Sequence, residues 1–525
     1  MNRREVLTLL GGGAAATAIM RPDIRALAQS GAAGSTLTYG QSTAILTLDP
    51  AHGAFTTYPG GYEAALCLYD RILDFDADMQ IKPELAESFA MADDLMSATI
   101  KLRSGLKFHD GTPVDAAAIK ANIERMIDKE RNPTNRPLWD PIESAEATDD
   151  LTVVLKLKQP FSQLPNSLAH GSGAIVSPAA MEKFGDDKIA TNPVGAGPYR
   201  LASFSPGQEL VLEAFEDYWG EKPKAGKIVF KAITEAATRI SALKTGAVNV
   251  IDQVPPALVS QLKGDANIEV ISKPGLRPIG CIINMSREPL KDPKVRKALN
   301  LAIPVKTIAE KVFFGYAQAP DSPLAFNTVG YSSVSPLVYD VEQAKSLLAE
   351  AGYTADKPLT ITMYTPQGIF PGDVAVSEIV ANALGQAGVK VEITKIEGGS
   401  YWDTLRQAPA DLKWDIAMFG FNPSNASGLY HLSSLFKSNP DEASKPAVWN
   451  AGRYKNDEVD ALLQEADSTA DAAKQMEALA KVQEIVWNDN PYIWLQINEN
   501  IAATNGAKGV EVWPIVFTVV RRASV

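Results

Sequence analysis

Apolar residues along the chain recur either every second position or every third to fourth, and each change of rhythm marks an element boundary. Lys227 to Ile233 reads as an apolar strand, Glu235 to Lys244 places Ile240 and Leu243 on one helical face, and Val248 to Ile251 is a second strand after Gly246. The same order recurs from Leu359 to Tyr364, through a helix carrying Val376, Ile379, Val380 and Ala383, to Val389, Val391 and Ile393, which alternate with Lys390, Glu392 and Thr394. Gly388 ends that helix, and Trp414 to Phe421 adds a strand. The pattern predicts an α/β sheet whose ligand crevice lies beyond the carboxyl ends of its strands. The segments after Tyr364 and Phe421 are therefore candidate ligand loops.

Between Leu85 and Leu157 the rhythm becomes that of short strands and turns, punctuated by Gly105 and Asp110-Gly111, before a helix capped by Asp115 and bearing Ile119, Ile123 and Met126. This predicts an antiparallel-rich subdomain. Glu458 to Asn488 makes two amphipathic helices, the second with Met476, Leu479, Val482 and Val486 on one face; Pro491 stops it, and strand-like Tyr492 to Ala503 follows.

A chain of 525 residues, 46% hydrophobic and 21% charged, has apolar material for at least two lobes. Val6 to Met20 is too short to span a bilayer comfortably. With Arg3 and Arg4 before it and Ala26-Leu27-Ala28 after it, residues 1–28 read as an export signal cut after Ala28, with Asn2 to Leu7 resembling the twin-arginine type. No cysteine lies near the cut, so the mature chain is expected free in the periplasm. The overall charge is -12, and the first 28 residues carry four arginines against Glu5 and Asp23, so the mature chain stands near -14. That balance argues against nucleic acid or anionic membrane as partner.

Enzymatic chemistry needs a nucleophile with its base, a metal cluster or a cofactor loop, and none is specified. His52, His109, His170 and His431 are far apart, and Cys67 and Cys281 form no disulfide framework and are expected as buried thiols. His170-Gly171-Ser172-Gly173 lacks nucleophile-elbow spacing, and Gly195 to Pro198 has proline where a phosphate loop needs N–H groups. No catalytic residue, cofactor or metal ligand is assigned.

Leu85-Ala86-Glu87-Ser88-Phe89 and Lys101 to Pro113 are similar to the signature of family 5 extracellular solute-binding proteins, which serve peptide, nickel, opine and glutathione ABC importers. Asn192 to Arg200 with Asp217 to Gly220, Asp292 to Leu299, and Ala344 to Tyr353 resemble further blocks of that family. The resemblance implies a two-lobed α/β periplasmic binding protein fold with an additional α+β subdomain in lobe one, the lobes joined by two hinge strands and closing over a ligand. Lobe one is expected over 36–278 plus 503–525, with the subdomain at about 70–190, and lobe two over 279–502, with crossings near Ile279 to Asn284 and Asn498 to Ala502. The implied partners are a small polar solute and the permease subunits of an ABC importer, and the chain is expected to be a monomer.

Dipeptide-binding members carry an aspartate in the loop after the strand matching Trp414 to Phe421; here Gly420 to His431 holds no acidic residue, and Thr365 to Phe370 holds no arginine for a peptide carboxylate. What remains is amide, hydroxyl and aromatic: Phe421, Asn422, Asn425, Ser427 and Tyr430, with Tyr364, Tyr401 and Trp402 nearby. Phe421 and Trp402 fit a core role equally, and Asn425 could hold a turn. Arg277 could meet a ligand carboxylate or form a surface salt bridge. On the opposite wall Thr43, Asp49 and Tyr58 are candidates, Asp49 either holding a ligand amine or capping the turn before Pro50. The alternative ligand is nickel or another metal chelate through His431; a remote alternative is a secreted hydrolase using cleft carboxylates such as Asp49.

Overall fold

The computed structural model describes residues 34–52, 55, 59–128, 136–441 and 449–525. The expected signal segment and Tyr58 lie outside them. Alternating segments form one sheet that runs through both lobes. Its main strands are β1 (Thr36–Gln41), β2 (Tyr199–Ser205), β3 (Glu209–Ala214), β4 (Lys227–Ala232), β5 (Val250–Ile251), β6 (Ile268–Ile283), β7 (Thr360–Gln367), β8 (Lys390–Glu397), β9 (Ile416–Gly420) and β10 (Tyr492–Asn505), and the short strand Ala317–Gln318 pairs with β10. The spatial order is β8-β7-β9-β6-β10-β5-β1-β4-β3-β2. β7 pairs in parallel with β8 and β9 in one lobe, and β1 with β4 and β5 in the other; the helices between them make the crossovers that parallel pairs require.

The helices start where local chemistry satisfies their first N–H groups. Glu235 accepts from Ala237 and Thr238 ahead of Ala236–Lys244, and Asp115 accepts from Ala118 ahead of Ala116–Ile127, each cap contributing about 1 kcal/mol. Asp373–Gln386 buries Val376, Val380, Ala383 and Leu384, and Gly388 follows it with φ +90°, a left-handed conformation that favours glycine. In Ala472–Asp489, Leu479, Val482 and Val486 are buried, yet Met476 is 42% exposed. Gln483, seven residues on and on the same face, is fully buried, so the face was read correctly and only the first turn overhangs the core.

β6 and β10 are the only strands the lobes share among the described residues. They pair antiparallel from Ile268–Asn505 to Ile282–Tyr492, with register shifts between Pro274 and Pro278 and between Ile279 and Gly280. Both prolines lack the N–H a regular ladder needs. From Ile279 onward β6 also pairs with β9, while Ala503 and Thr504 of β10 pair with β5. The first crossing therefore lies at Pro274 to Pro278, upstream of the expected Ile279 to Asn284, whose first five residues already pair with β9 of lobe two.

Lobe one carries a second, four-stranded antiparallel sheet in the order Ala86–Met91, Ser97–Leu102, Thr152–Leu157, Ile142–Ala147, with Ala116–Ile127 packed on it. His109 fastens the subdomain to the next segment. Its Nε2 bonds the Gly197 carbonyl at 2.9 Å and its Nδ1 accepts the Gly195 N–H at 3.3 Å. A Cβ at Gly195 would stand 2.1 Å from the Leu68 carbonyl oxygen, so only glycine permits this approach. The C-terminal tail returns to lobe one, where Phe517 stacks on Tyr62 at 4.2 Å and the Thr518 N–H donates to Glu63 at 2.7 Å. Cys67 and Cys281 are free buried thiols. No helix among the described residues is long and apolar enough to cross a membrane.

Candidate functional site

At the carboxyl end of β9 the chain leaves lobe two in the loop Phe421 to Ser427, which reaches across to lobe one. Asn422 Nδ2 donates to the Ile515 carbonyl at 2.9 Å, the Asn425 carbonyl accepts from Asn166 Nδ2 at 2.9 Å, and Ser424 Oγ lies 3.0 Å from His170 Nε2. Ala426 has φ +58° and is buried; this left-handed conformation costs of order 1 kcal/mol and is held by the contacts on either side. The turn delivers Ser427 as N-cap of the helix Gly428–Phe436, where its Oγ accepts the Tyr430 N–H at 3.2 Å.

His170 is the contact that sequence reasoning passed over. Trp139 Nε1 donates to Ser172 Oγ, and the Ser172 N–H donates to His170 Nδ1 at 3.1 Å. Nδ1 is thus an acceptor, so Nε2 carries the proton and donates to Ser424 across the cleft. Burial pushes His170 down to about 3, which keeps the ring neutral. The segment His170-Gly171-Ser172-Gly173 is a tight loop rather than a nucleophile elbow, and its two glycines, packed on Tyr62 and the Leu168 carbonyl, are the legible sign of it. A second bridge joins Ser162 to the Asp467 carbonyl at 3.0 Å and to Gln475 Nε2 at 3.0 Å.

Aromatic rings line the lobe-two wall in a chain. Phe421 meets Tyr430 at 5.6 Å, His431 at 5.5 Å and Trp449 at 6.2 Å; Trp449 meets Trp402 at 5.6 Å, and Trp402 meets Phe370 at 6.1 Å. Phe421, Trp402, Tyr364 and Tyr430 are half-buried. Tyr430 also packs against the core of lobe one, and burial pushes its phenol up to about 12. Tyr401 belongs elsewhere: fully buried, it donates to the Met418 carbonyl at 2.5 Å and is a core residue of lobe two rather than a ligand contact.

Asp49 likewise needs correction as an amine holder. Arg125 grips both of its oxygens, at 2.7 and 2.8 Å, and one oxygen also accepts the Ala51 N–H at 3.0 Å. The helix Ala116–Ile127 brings in that arginine from 76 residues away, which turns the carboxylate into a structural ion pair. Thr43 Oγ1 accepts the Gly60 N–H at 3.0 Å. His431 is 1% exposed, its Nδ1 has no partner, and burial pushes it down to about 3. Among the described residues no three His, Cys, Asp or Glu side chains converge on one point, at His431 or elsewhere.

Several polar side chains where the lobes meet hold unused hydrogen-bonding atoms: Asn422 Oδ1, Asn425 Nδ2, Gln496 Oε1 and both polar atoms of Asn498. Buried polar groups without partners cost about 1–3 kcal/mol each, which is the cost a bound polar molecule removes. Residues 80–443 match the family described as bacterial extracellular solute-binding proteins, family 5. The chain belongs to that family. The glutathione-binding protein GsiB of Escherichia coli K12 is 32% identical over 461 residues, 87% of this chain and 88% of its own. Among solved structures, the periplasmic binding protein DppA of Helicobacter pylori in complex with the peptide STSA superposes with a TM-score of 0.80 at 25% identity, covering 95% of this chain and 99% of its own. NikZ of Campylobacter jejuni with Ni(L-His) also gives 0.80, at 22% identity over 93% of this chain and 99% of its own, and shows the shared two-lobed fold.

Proposed function

We propose that this family 5 protein captures a peptide-like or other small polar solute between its lobes and hands it to the permease of an ABC importer, acting as a periplasmic monomer without catalysis. The observation that carries the reading is the set of unpaired amide atoms gathered where Phe421 to Ser427 bridges the lobes. Residues 1–28 support export by the twin-arginine route, with cleavage after Ala28. A ligand touching both lobes binds the joined form better than the parted one and shifts the population toward it. Micromolar affinity corresponds to roughly 8 kcal/mol, of which only the difference between the two forms drives closure.

The 32% identity to glutathione-binding proteins and the likeness to a peptide complex set the first compounds to try: glutathione, short peptides and opines. Calorimetry and thermal shift with these compounds are expected to find saturable binding. Asn425→Ala and Tyr430→Ala are each expected to weaken it by more than about 1 kcal/mol. Unchanged affinity in both variants would move the pocket away from this loop.

A further inference from the structure

Arg277 is half-buried and differs from the fully buried arginines of the chain, which are paired with carboxylates or, at Arg296, with backbone carbonyls. Arg71, Arg125, Arg239 and Arg521 each face a carboxylate. Arg277 has neither a hydrogen bond nor an ion pair among the described residues; its guanidinium lies over the Phe370 ring at 5.4 Å. Its surroundings contain no counter-charge, and loss of water alone pushes it down to about 10. A half-buried guanidinium whose printed contact is an aromatic face keeps its N–H groups free to take up an anion.

The position is specific. Arg277 stands on the crossing segment of β6, two residues outside the Ile279–Gly420 pair that ends β9. A Cβ at Gly420 would lie 3.4 Å from Arg277 Cδ and 3.2 Å from Phe370 Cε1, so the absent side chain leaves the arginine room at the mouth of the lobe-two sheet. Across the hinge, Ile279 is opposite Gln496 and Pro278 opposite Ile497, and Asn498 follows where the register between the two strands breaks, at Pro274 to Pro278. Gln496 is 1% exposed with Oε1 unpaired, and Asn498 leaves both Oδ1 and Nδ2 unpaired. The nearest acid along β10, Glu499, is engaged by Ser272.

Resting on the solute-binding reading above, we infer that the ligand is a carboxylic acid whose carboxylate is received at the hinge by Arg277 and Asn498 Nδ2, with an adjacent ligand N–H donating to Gln496 Oε1 or Asn498 Oδ1. The planar guanidinium fork matches a carboxylate through two parallel bonds. The unpaired acceptors call for amide-type N–H groups, as at the acid end of a peptide or N-acyl amino acid. No unpaired carboxylate has been placed at the hinge to balance a ligand ammonium there, so the class is anionic at this end. Because both crossing strands contribute, such a ligand fixes the hinge itself as well as the two walls.

The test uses full-length protein exported and cleaved in its host, with small molecules extracted from purified wild type and Arg277→Gln and identified by mass spectrometry, and the retained compound returned to each for calorimetry. The wild type is expected to retain a carboxylic acid. Arg277→Gln should bind it at least about 30-fold more weakly, and Arg277→Lys should fall between, because it keeps the charge without the fork. The methyl ester of the compound should bind both proteins alike. Ligand-free Arg277→Gln should melt no lower than wild type, since no hydrogen bond or ion pair is lost; a lower melting temperature would assign Arg277 a structural role and overturn the inference. A retained compound without a carboxylate, including one whose only acid is a phosphate, or equal affinity in Arg277→Gln, would overturn it while leaving solute binding intact. If wild type retained nothing and no compound of a metabolite extract raised its melting temperature, the solute-binding reading would fall, and this inference with it.

Discussion

Arg521→Ala is expected to destabilise the protein by about 3–5 kcal/mol, although the residue is fifth from the C-terminus of the chain. Its guanidinium is buried in lobe one, with Nη2 2.6 Å from Asp74 Oδ2 and Nη1 3.4 Å from Glu84 Oε1. Arg71 faces the same two acids, bonding Asp74 directly and giving its backbone N–H to Glu84 at 2.7 Å. The two guanidinium groups hold the buried Asp74 carboxyl below its ordinary value, while burial pushes that of Glu84 up. Removing one cation leaves an uncompensated carboxylate, and the cost is that of the orphaned charge rather than of the lost bond. Urea unfolding should show a lower midpoint, with Arg521→Lys intermediate. A loss below about 1 kcal/mol would mean that water reaches the cluster.

Acid is expected to act on this protein through its buried histidines. Burial pushes His170 and His431 down to about 3 and His109 to about 4, from an ordinary value of 6.5 in the unfolded chain. The unfolded state therefore binds more protons between those values, so each ring contributes stability that is full above pH 6.5 and is lost as pH falls toward 3 to 4. Between pH 7 and pH 4 the loss is on the order of 3 kcal/mol per ring. Two buried carboxyls oppose it: burial pushes Glu63 up to about 8 and Asp70 up to about 7, and their contribution is fully present at low pH and fades as pH rises toward those values. The clean measurement is a difference. Relative to wild type, His431→Gln should gain about 3 kcal/mol as pH falls from 7 to 4, because the glutamine has no proton to take up. Parallel stability curves for the two proteins would show that the ring is hydrated. His170 adds a functional consequence, since its protonation removes the acceptor that the Ser172 N–H requires and loosens the contact with Ser424.

The strands and helices of 227–251 and 359–421 were legible because each buries one face against a single neighbouring layer, which leaves a periodic trace. The candidate loop Phe421 to His431 followed from the same reasoning, since its place is set by the end of a strand. Asp49 caps the turn at Pro50, one of its two readings, while its reading as an amine holder and that of Tyr401 as a ligand contact fail for a common reason: the Arg125 guanidinium and the Met418 carbonyl that occupy them are brought near by tertiary packing. The tail hairpin of Glu511–Val512 and Thr518–Val519 was invisible as secondary structure because two-residue strands carry no period. Arg277 stood in the sequence as either a ligand group or a surface salt bridge, and its isolation emerged only once every nearby acid had been placed.

The claim at the centre is that two lobes joined by β6 and β10 close over a small solute. Small-angle X-ray scattering of the mature chain, titrated with the compound it retains, tests this most directly. The radius of gyration is expected to fall and to saturate at one compound per chain. Binding of that compound with the radius unchanged would contradict closure.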